Sequence, residues 1–128
     1  MKKPDNPKEQ NLVKGALRRI FSRSDLRKAA LAKQHIIHSD TNRPRVTKWS
    51  WCALCGVIEP TYTFEVDHIE PVIGVYEKLQ DLTLDQLAER IWCSIDNLQG
   101  ICENCHKTKT KEENRARRDY RKNVRSAR

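Results

Sequence analysis

Between residues 8 and about 22, Leu12, Val13, Ala16, Leu17, Ile20 and Phe21 recur in pairs four positions apart, with Lys14, Arg18 and Arg19 to the sides. Apolar residues at that spacing share one stripe of a helix. Ser24 or Asp25 opens a second predicted helix that runs to about Ile37 and buries Leu26, Ala29, Ala30 and Ile36 or Ile37. A short polar side chain at such a start accepts a hydrogen bond from a free N–H of the first turn. Asn42-Arg43-Pro44 breaks the pattern. Arg45 to Trp51 then reads as a short strand, followed by Gly56 in a tight turn. Tyr62, Phe64 and Val66 alternate with polar neighbours, which predicts a strand carrying all three on one face and ending at Asp67-His68. Thr83 and Gln86 form a capping box for a helix through Trp92, with Leu84, Leu87, Ala88 and Ile91 inward. Asn97 to Cys102 is a returning strand, Glu103 to about Arg121 is helical in composition, and residues 122–128 are expected to fray.

These elements carry little apolar material. Of the 128 residues, 38% are hydrophobic and 33% are charged, whereas average chains are roughly 45–50% apolar. A core this lean calls for reinforcement beyond burial. The longest uncharged apolar run falls far short of the ~20 residues a spanning helix needs. Met1-Lys2-Lys3-Pro4 leads into polar Asp5-Asn6-Pro7-Lys8 and not into the apolar stretch of a secretory leader. The expectation is a cytoplasmic protein without a membrane partner.

Charge divides the chain further. The formal net charge is +8, with 13 bases and 4 acids in residues 1–50, 2 and 10 in residues 51–106, and 10 and 3 in residues 107–128. Two basic flanks around an acidic centre predict arms that grip a polyanion. The expected organisation is a basic helical arm over 1–48, a core over 49–121 and a basic tail over 122–128.

Four of the five cysteines form two Cys-x-x-Cys pairs, Cys52/Cys55 and Cys102/Cys105, with Cys93 left over. In a reducing compartment this spacing reads as metal binding. Four thiolates close a tetrahedral zinc ion and leave it no open position, so the zinc is expected to be structural. It would staple the segment after the first strand to the start of the last helix. Cys93 reads as a small apolar residue. Trp49 and Trp51 read as packing around the first pair. His35 and His38, three apart on the predicted second helix, read as surface histidines.

Cys52-x-x-Cys55, Glu65-Val66-Asp67-His68-Ile69-Glu70-Pro71, and Asn97-Leu98-Gln99-Gly100-Ile101-Cys102-x-x-Cys105-His106-Lys107-x-Lys109-Thr110 resemble the HNH endonucleases, in the order that family has them. The resemblance covers roughly residues 50–115. It implies an α+β fold: a zinc-stapled ββα-metal core with N-terminal helices and an inserted helix between the strands. It also implies His68 as the base that activates water, Asn97 as the residue that fixes the loop and orients it, and Asp67 and His106 as ligands of a catalytic divalent cation (Mg²⁺, Mn²⁺ or Ni²⁺). Small HNH proteins resembling this chain occur in phage genomes near packaging functions. That likeness implies a bacterial or phage-infected cell and a packaging subunit as a possible partner.

The residue chemistry leads to the same roles for His68, Asp67 and His106, and leaves that of Asn97 to the resemblance. Phosphodiester hydrolysis needs a base, a cation on the developing charge and a held backbone. Imidazole exchanges a proton near neutrality, and a carboxylate with an imidazole leaves a divalent ion open positions for water and phosphate. Glu65 and Glu70 are left outside this set. Lys107, Lys109, Lys111, Arg115, Arg117, Arg118, Arg121 and Lys122 crowd the last helix. Lys107, Lys109, Lys111, Arg115 and Arg118 are the expected phosphate contacts on duplex DNA, with little sequence preference. The expected activity is therefore a metal-dependent DNA endonuclease. The alternatives are a non-catalytic zinc module that binds nucleic acid or a partner, and an accessory nuclease subunit of a packaging assembly. The first two helices fit a DNA-grip arm, a dimer surface or a docking site, and the residues do not decide among these.

Overall fold

Asn6 starts the first helix, α1 (Pro7–Phe21): its Oδ1 accepts the Lys8 N–H at 2.8 Å, and Pro7 sits where a missing N–H costs nothing. Ser24 caps the next, α2 (Asp25–Ala32), by accepting the Arg27 N–H. A computed structural model describes residues 4–127 of the chain; residues 1–3 of the basic arm and residue 128 of the tail lie outside that range. The architecture is mixed α+β, with four helices and two small antiparallel sheets. One sheet has the order β1 (His35–Ile36), β2 (Trp49–Trp51), β3 (Ile58–Pro60). The other pairs β4 (Glu65–His68) with β5 (Leu98–Ile101), in a register that sets Asp67 opposite Gln99 and His68 opposite Leu98.

The inserted helix, α3 (Leu84–Ile91), lies between those paired strands in the chain and has both halves of the capping box: Thr83 Oγ1 accepts the Gln86 N–H, and Gln86 Oε1 accepts the Thr83 N–H. Leu87 and Ile91 are buried in one apolar cluster with Phe21, Ala30, Val72, Ile73, Leu82 and Leu98. A smaller cluster holds Leu31, Cys52, Phe64, Ile101 and Cys102, and Val66 touches both. Among the described residues no helix is long and apolar enough to cross a membrane.

Several expectations are corrected. The second helix stops at Ala32, five residues short of Ile37, because Gln34 is drawn into the sheets. Its backbone O accepts the Trp51 N–H at 3.0 Å, and its buried side chain donates to Trp51 O and Gly100 O (both 2.7 Å) and accepts the Gly100 N–H (2.8 Å). His35 and Ile36 then pair with β2, so His35 is not helical, and Ile36 and Ile37 are exposed. His38 meets Trp49 edge-on instead, with ring centroids 4.6 Å apart. The strand expected from Arg45 begins only at Trp49, which is buried, whereas Trp51 is exposed. Tyr62 sits on a single 3-10 turn (Thr61–Thr63) and is exposed, so only Phe64 and Val66 of its trio turn inward.

Asn97 ends another 3-10 turn just before β5, and Cys102 caps the last helix, α4 (Glu103–Ser126), which continues through most of the predicted tail. On α1 only Phe21 of the predicted stripe is fully buried, while Leu12 and Ile20 are 62% and 61% exposed.

Gly100 stands in a tight place: a Cβ there would meet Leu31 Cδ2 at 3.0 Å and Gln34 Nε2 at 3.1 Å, so those side chains would have to shift by a few tenths of an ångström. Replacing Gln34 by Leu strands the buried Gly100 N–H and takes a donor from Trp51 O, while Gly100 O keeps the Ala53 N–H, which is expected to destabilise the fold by about 2 kcal/mol. Urea denaturation of the metal-loaded chain measures it; an unchanged midpoint would show that Gln34 is dispensable.

Candidate metal centre and cleft

Cys52 follows β2, Cys55 lies in the turn before β3, Cys102 caps α4, and Cys105 is in that helix's first turn. The turn closes through Gly56 N–H to Cys52 O at 2.9 Å, with Gly56 at φ +77°, a left-handed conformation that favours glycine. All four sulfurs lie within 4.8 Å of one another. Cys55 and Cys102 Sγ are 3.8 Å apart, which matches the edge of about 3.8 Å that a tetrahedron of ~2.3 Å zinc–sulfur bonds requires. The cluster could hold a structural metal such as zinc.

Its electrostatics favour a cation. Burial pushes the Cys52 thiol up, but backbone N–H groups of Cys102, Cys55 and Leu54 outweigh it and bring the thiol down to about 6. One of those bonds, Cys102 N–H to Cys52 Sγ, is 3.3 Å long. The neighbouring Cys102 side chain, burial, and then Cys55 and Cys52 push Cys105 up to about 12. The second and later thiolates are thus opposed by the first, and a divalent ion is what allows all four to ionise together.

Beside this centre a cleft of about 710 Å³ opens between α1 and α4. Asp67, His68 and His106 all line it, so the two imidazoles face a common space. His68 Nε2 lies 2.8 Å from the carbonyl oxygen of Ile91. A carbonyl only accepts, so Nε2 carries the ring hydrogen and Nδ1 keeps the lone pair. Ile91 is the last residue of α3, where carbonyls have no partner within the helix, and the ring N–H fills that vacancy. The His68 ring also lies against Phe21, with centroids 5.4 Å apart. Asn97 holds the chain just beyond: its Oδ1 accepts the Glu70 N–H (2.8 Å), its Nδ2 donates to Glu70 O (3.4 Å), and its own carbonyl accepts the Ile69 N–H (2.8 Å). Cys93, half-buried against the core, accepts weakly from the same amide.

Asp67 Oδ2 is held by Lys109 Nζ at 2.7 Å and by Gln99 Nε2 at 3.1 Å, while Oδ1 makes no hydrogen bond among the described residues. Lys109 also donates to Glu113 Oε1 (2.8 Å) and His68 O (3.1 Å). Burial pulls its ammonium down, and the Asp67 and Glu113 carboxylates more than compensate. Lys109, expected as a phosphate contact, thus has its ammonium engaged by Asp67, Glu113 and the His68 carbonyl. Lys107 pairs with Glu103, and Lys107, Lys111, Arg115 and Arg118 do not line the cleft.

On α4 the residues that do are His106, Thr110, Glu113, Asn114, Arg117 and Arg121. Counting by threes and fours from His106 picks out that face, a signal present in the sequence but outweighed by the sheer density of bases. Lys14 and Arg18 of α1 complete the basic wall and carried no local motif.

No protein-family model, no curated protein and no solved structure matches the chain.

Purified chain is expected to carry one equivalent of zinc, lost in Cys55→Ser, by elemental analysis. Cys52 has a folded-state value below that of a free thiol, so its thiolate persists as pH falls from 9 and is protonated on passing through about 6. That window belongs to the metal-free chain; with zinc bound, protons compete with the ion for the sulfurs, so retention is expected to fall on acidification only below it, read by a chromogenic chelator, and zinc retained unchanged by Cys55→Ser would argue against thiolate ligation.

Proposed function

We propose that the chain is a metal-dependent DNA endonuclease of the HNH type, which hydrolyses phosphodiester bonds in duplex DNA with little sequence preference. The observation that carries this reading is the His68–Ile91 hydrogen bond, because it commits the neutral imidazole to the tautomer with a basic Nδ1, on a residue that lines the cleft shared with Asp67 and His106. A base must be held in one orientation to take a proton from water as that water attacks phosphorus. Asn97 supports the reading by clamping the backbone of Glu70, two residues after the base, so that the turn cannot drift. Asp67, through Oδ1, and His106 are the residues that would hold a divalent cation. Such a cation, when bound, supplies charge stabilisation at the phosphoryl and leaving 3′ oxygens, giving 5′-phosphate and 3′-hydroxyl ends.

One observation favours a second reading. The 2.7 Å ion pair from Lys109 already neutralises Asp67, as suits a zinc-stapled module that binds nucleic acid or a protein partner without cutting it. An accessory nuclease within a phage packaging assembly would use the same cleft, with its partner supplying the DNA.

Supercoiled plasmid with Mg²⁺, Mn²⁺ or Ni²⁺ separates the readings. The expected result is relaxed or linear product, with His68→Ala lowering the rate at least ~100-fold. That variant should keep the divalent ion by calorimetry, whereas Asp67→Ala and His106→Ala bind it more weakly. Cleavage by His68→Ala at the parent rate would remove the proposed base.

A further inference from the structure

Lys14 and Arg18 stand one turn apart on α1, and Arg117 reaches the same wall of the cleft from α4. Like charges at that helical spacing repel, which costs a few tenths of a kcal/mol in an isolated helix. Among the described residues neither Lys14 nor Arg18 has an ion-pair partner. Arg117 donates only to uncharged oxygens, Ile73 O at 2.9 Å and Asn114 Oδ1 at 3.4 Å. Burial first, and then the other cations of the cluster, hold Lys14 and Arg18 below their ordinary values. Glu113 and Asp67 act on Arg18 in the opposite sense, but both carboxylates are already bound to Lys109. Glu77 of the same cleft is likewise spent on Arg90. Solubility is served by charges on an outer surface and gives no reason to crowd three cations into a concave wall. An anion seated among them relieves the repulsion and replaces lost hydration, and phosphate oxygens suit both ammonium and guanidinium groups.

We propose that Lys14, Arg18 and Arg117 form a seat for a backbone phosphate of the nucleic acid, so that α1 is one jaw of the cleft. This rests on the reading of the cleft as a DNA site, but it concerns binding, which is measurable without cleavage. α1 is then neither a solubility arm nor a dimer surface in the first instance: it grips the strand whose neighbouring phosphate lies near His68 and His106. Phosphate contacts of this kind are blind to sequence and sensitive to salt.

The test uses the full, zinc-loaded chain carrying His68→Ala, without added divalent ion, and a fluorescein-labelled 20-base-pair duplex read by anisotropy. Lys14→Gln with Arg18→Gln is expected to raise Kd roughly tenfold near 100 mM salt and to lower the slope of log K against log salt by about 2, from loss of two phosphate contacts. Arg115→Gln with Arg118→Gln removes the same charge from the outer face of α4 and should change both much less. Each single variant, Lys14→Gln and Arg18→Gln, reads the effect at about half size if the double variant folds poorly by circular dichroism. Equal losses from the two double variants would reduce the effect to bulk charge and overturn the seat, as would an unchanged Kd and slope. Parent protein that binds through these residues yet never cuts plasmid would overturn the nuclease reading and leave the seat standing. Cleavage by the parent with binding indifferent to Lys14 and Arg18 would do the reverse.

Discussion

Four sulfurs at one junction decide where the last helix points. α4 runs from Glu103 to Ser126 and buries none of its residues fully; Lys109, Arg117 and Tyr120 tie it to Asp67, Ile73 O and Tyr76, but no apolar face of it enters the core. Its start can be aimed, because Cys102 caps the helix while donating its N–H to Cys52 Sγ, and Ala53 N–H reaches Gly100 O at 3.0 Å from the other side. Two of the four cysteines also belong to the smaller apolar cluster, beside Phe64 and Ile101. In a chain with so little apolar surface, candidate metal ligands and core residues coincide, and the register of β5 against the Cys52–Cys55 turn brings them together. His106 comes one residue after Cys105, so whatever fixes the cysteines fixes the imidazole's place in the cleft.

Side-chain amides then transmit that order. Gln34 saturates hydrogen-bonding groups of Trp51 and Gly100 and so joins the two sheets, and Asn97 does the same for the turn after His68. The inserted helix contributes more than its apolar face. Its last carbonyl, on Ile91, is an acceptor the helix itself cannot satisfy, and the ring of His68 is the donor that reaches it. Length and phase of α3 therefore matter to the site: a helix one residue longer or shorter would present a different carbonyl in a different direction.

The features legible in the sequence are those whose physics is local. Cys-x-x-Cys spacing, the Thr83/Gln86 box, Gly56 in its turn and the short polar caps each depend on residues within a few positions of one another, and each is present in the fold. What the sequence does not disclose depends on partners far along the chain. α2 ends early because Gln34 finds acceptors at Trp51 and Gly100, and no periodicity in residues 25–37 encodes that exchange. β1 and β3 have two and three residues, too few for alternation to register. Tyr62 matches a period of two and is nonetheless exposed, since the chain turns at Thr61–Thr63 before pairing. In the site, Asp67, His68, Asn97 and His106 were legible because a motif carries them, whereas Lys14 and Arg18 belong to a helix whose sequence says only that it is basic and amphipathic.

Lysine in α4 illustrates why composition misleads about charge. Lys109 was one base among many, yet its ammonium is enclosed by Asp67, Glu113 and the carbonyl of His68. Two carboxylates around one ammonium leave a formal charge of −1 on the Asp67, Lys109 and Glu113 group, while Lys14, Arg18, Arg117 and Arg121 line the same cleft as Asp67 and Glu113. A uniformly basic cleft would repel a divalent cation, and a uniformly acidic one would repel a phosphate diester. Carboxylates and cations lining one cleft would set each of the two ligands proposed above next to the charge that favours it. The net charge of +8 says nothing of this division. It arises because Lys109 lies three residues beyond His106 and turns toward β4, whereas Arg117, two helical turns further on, forms no ion pair among the described residues, Glu113 being bound to Lys109.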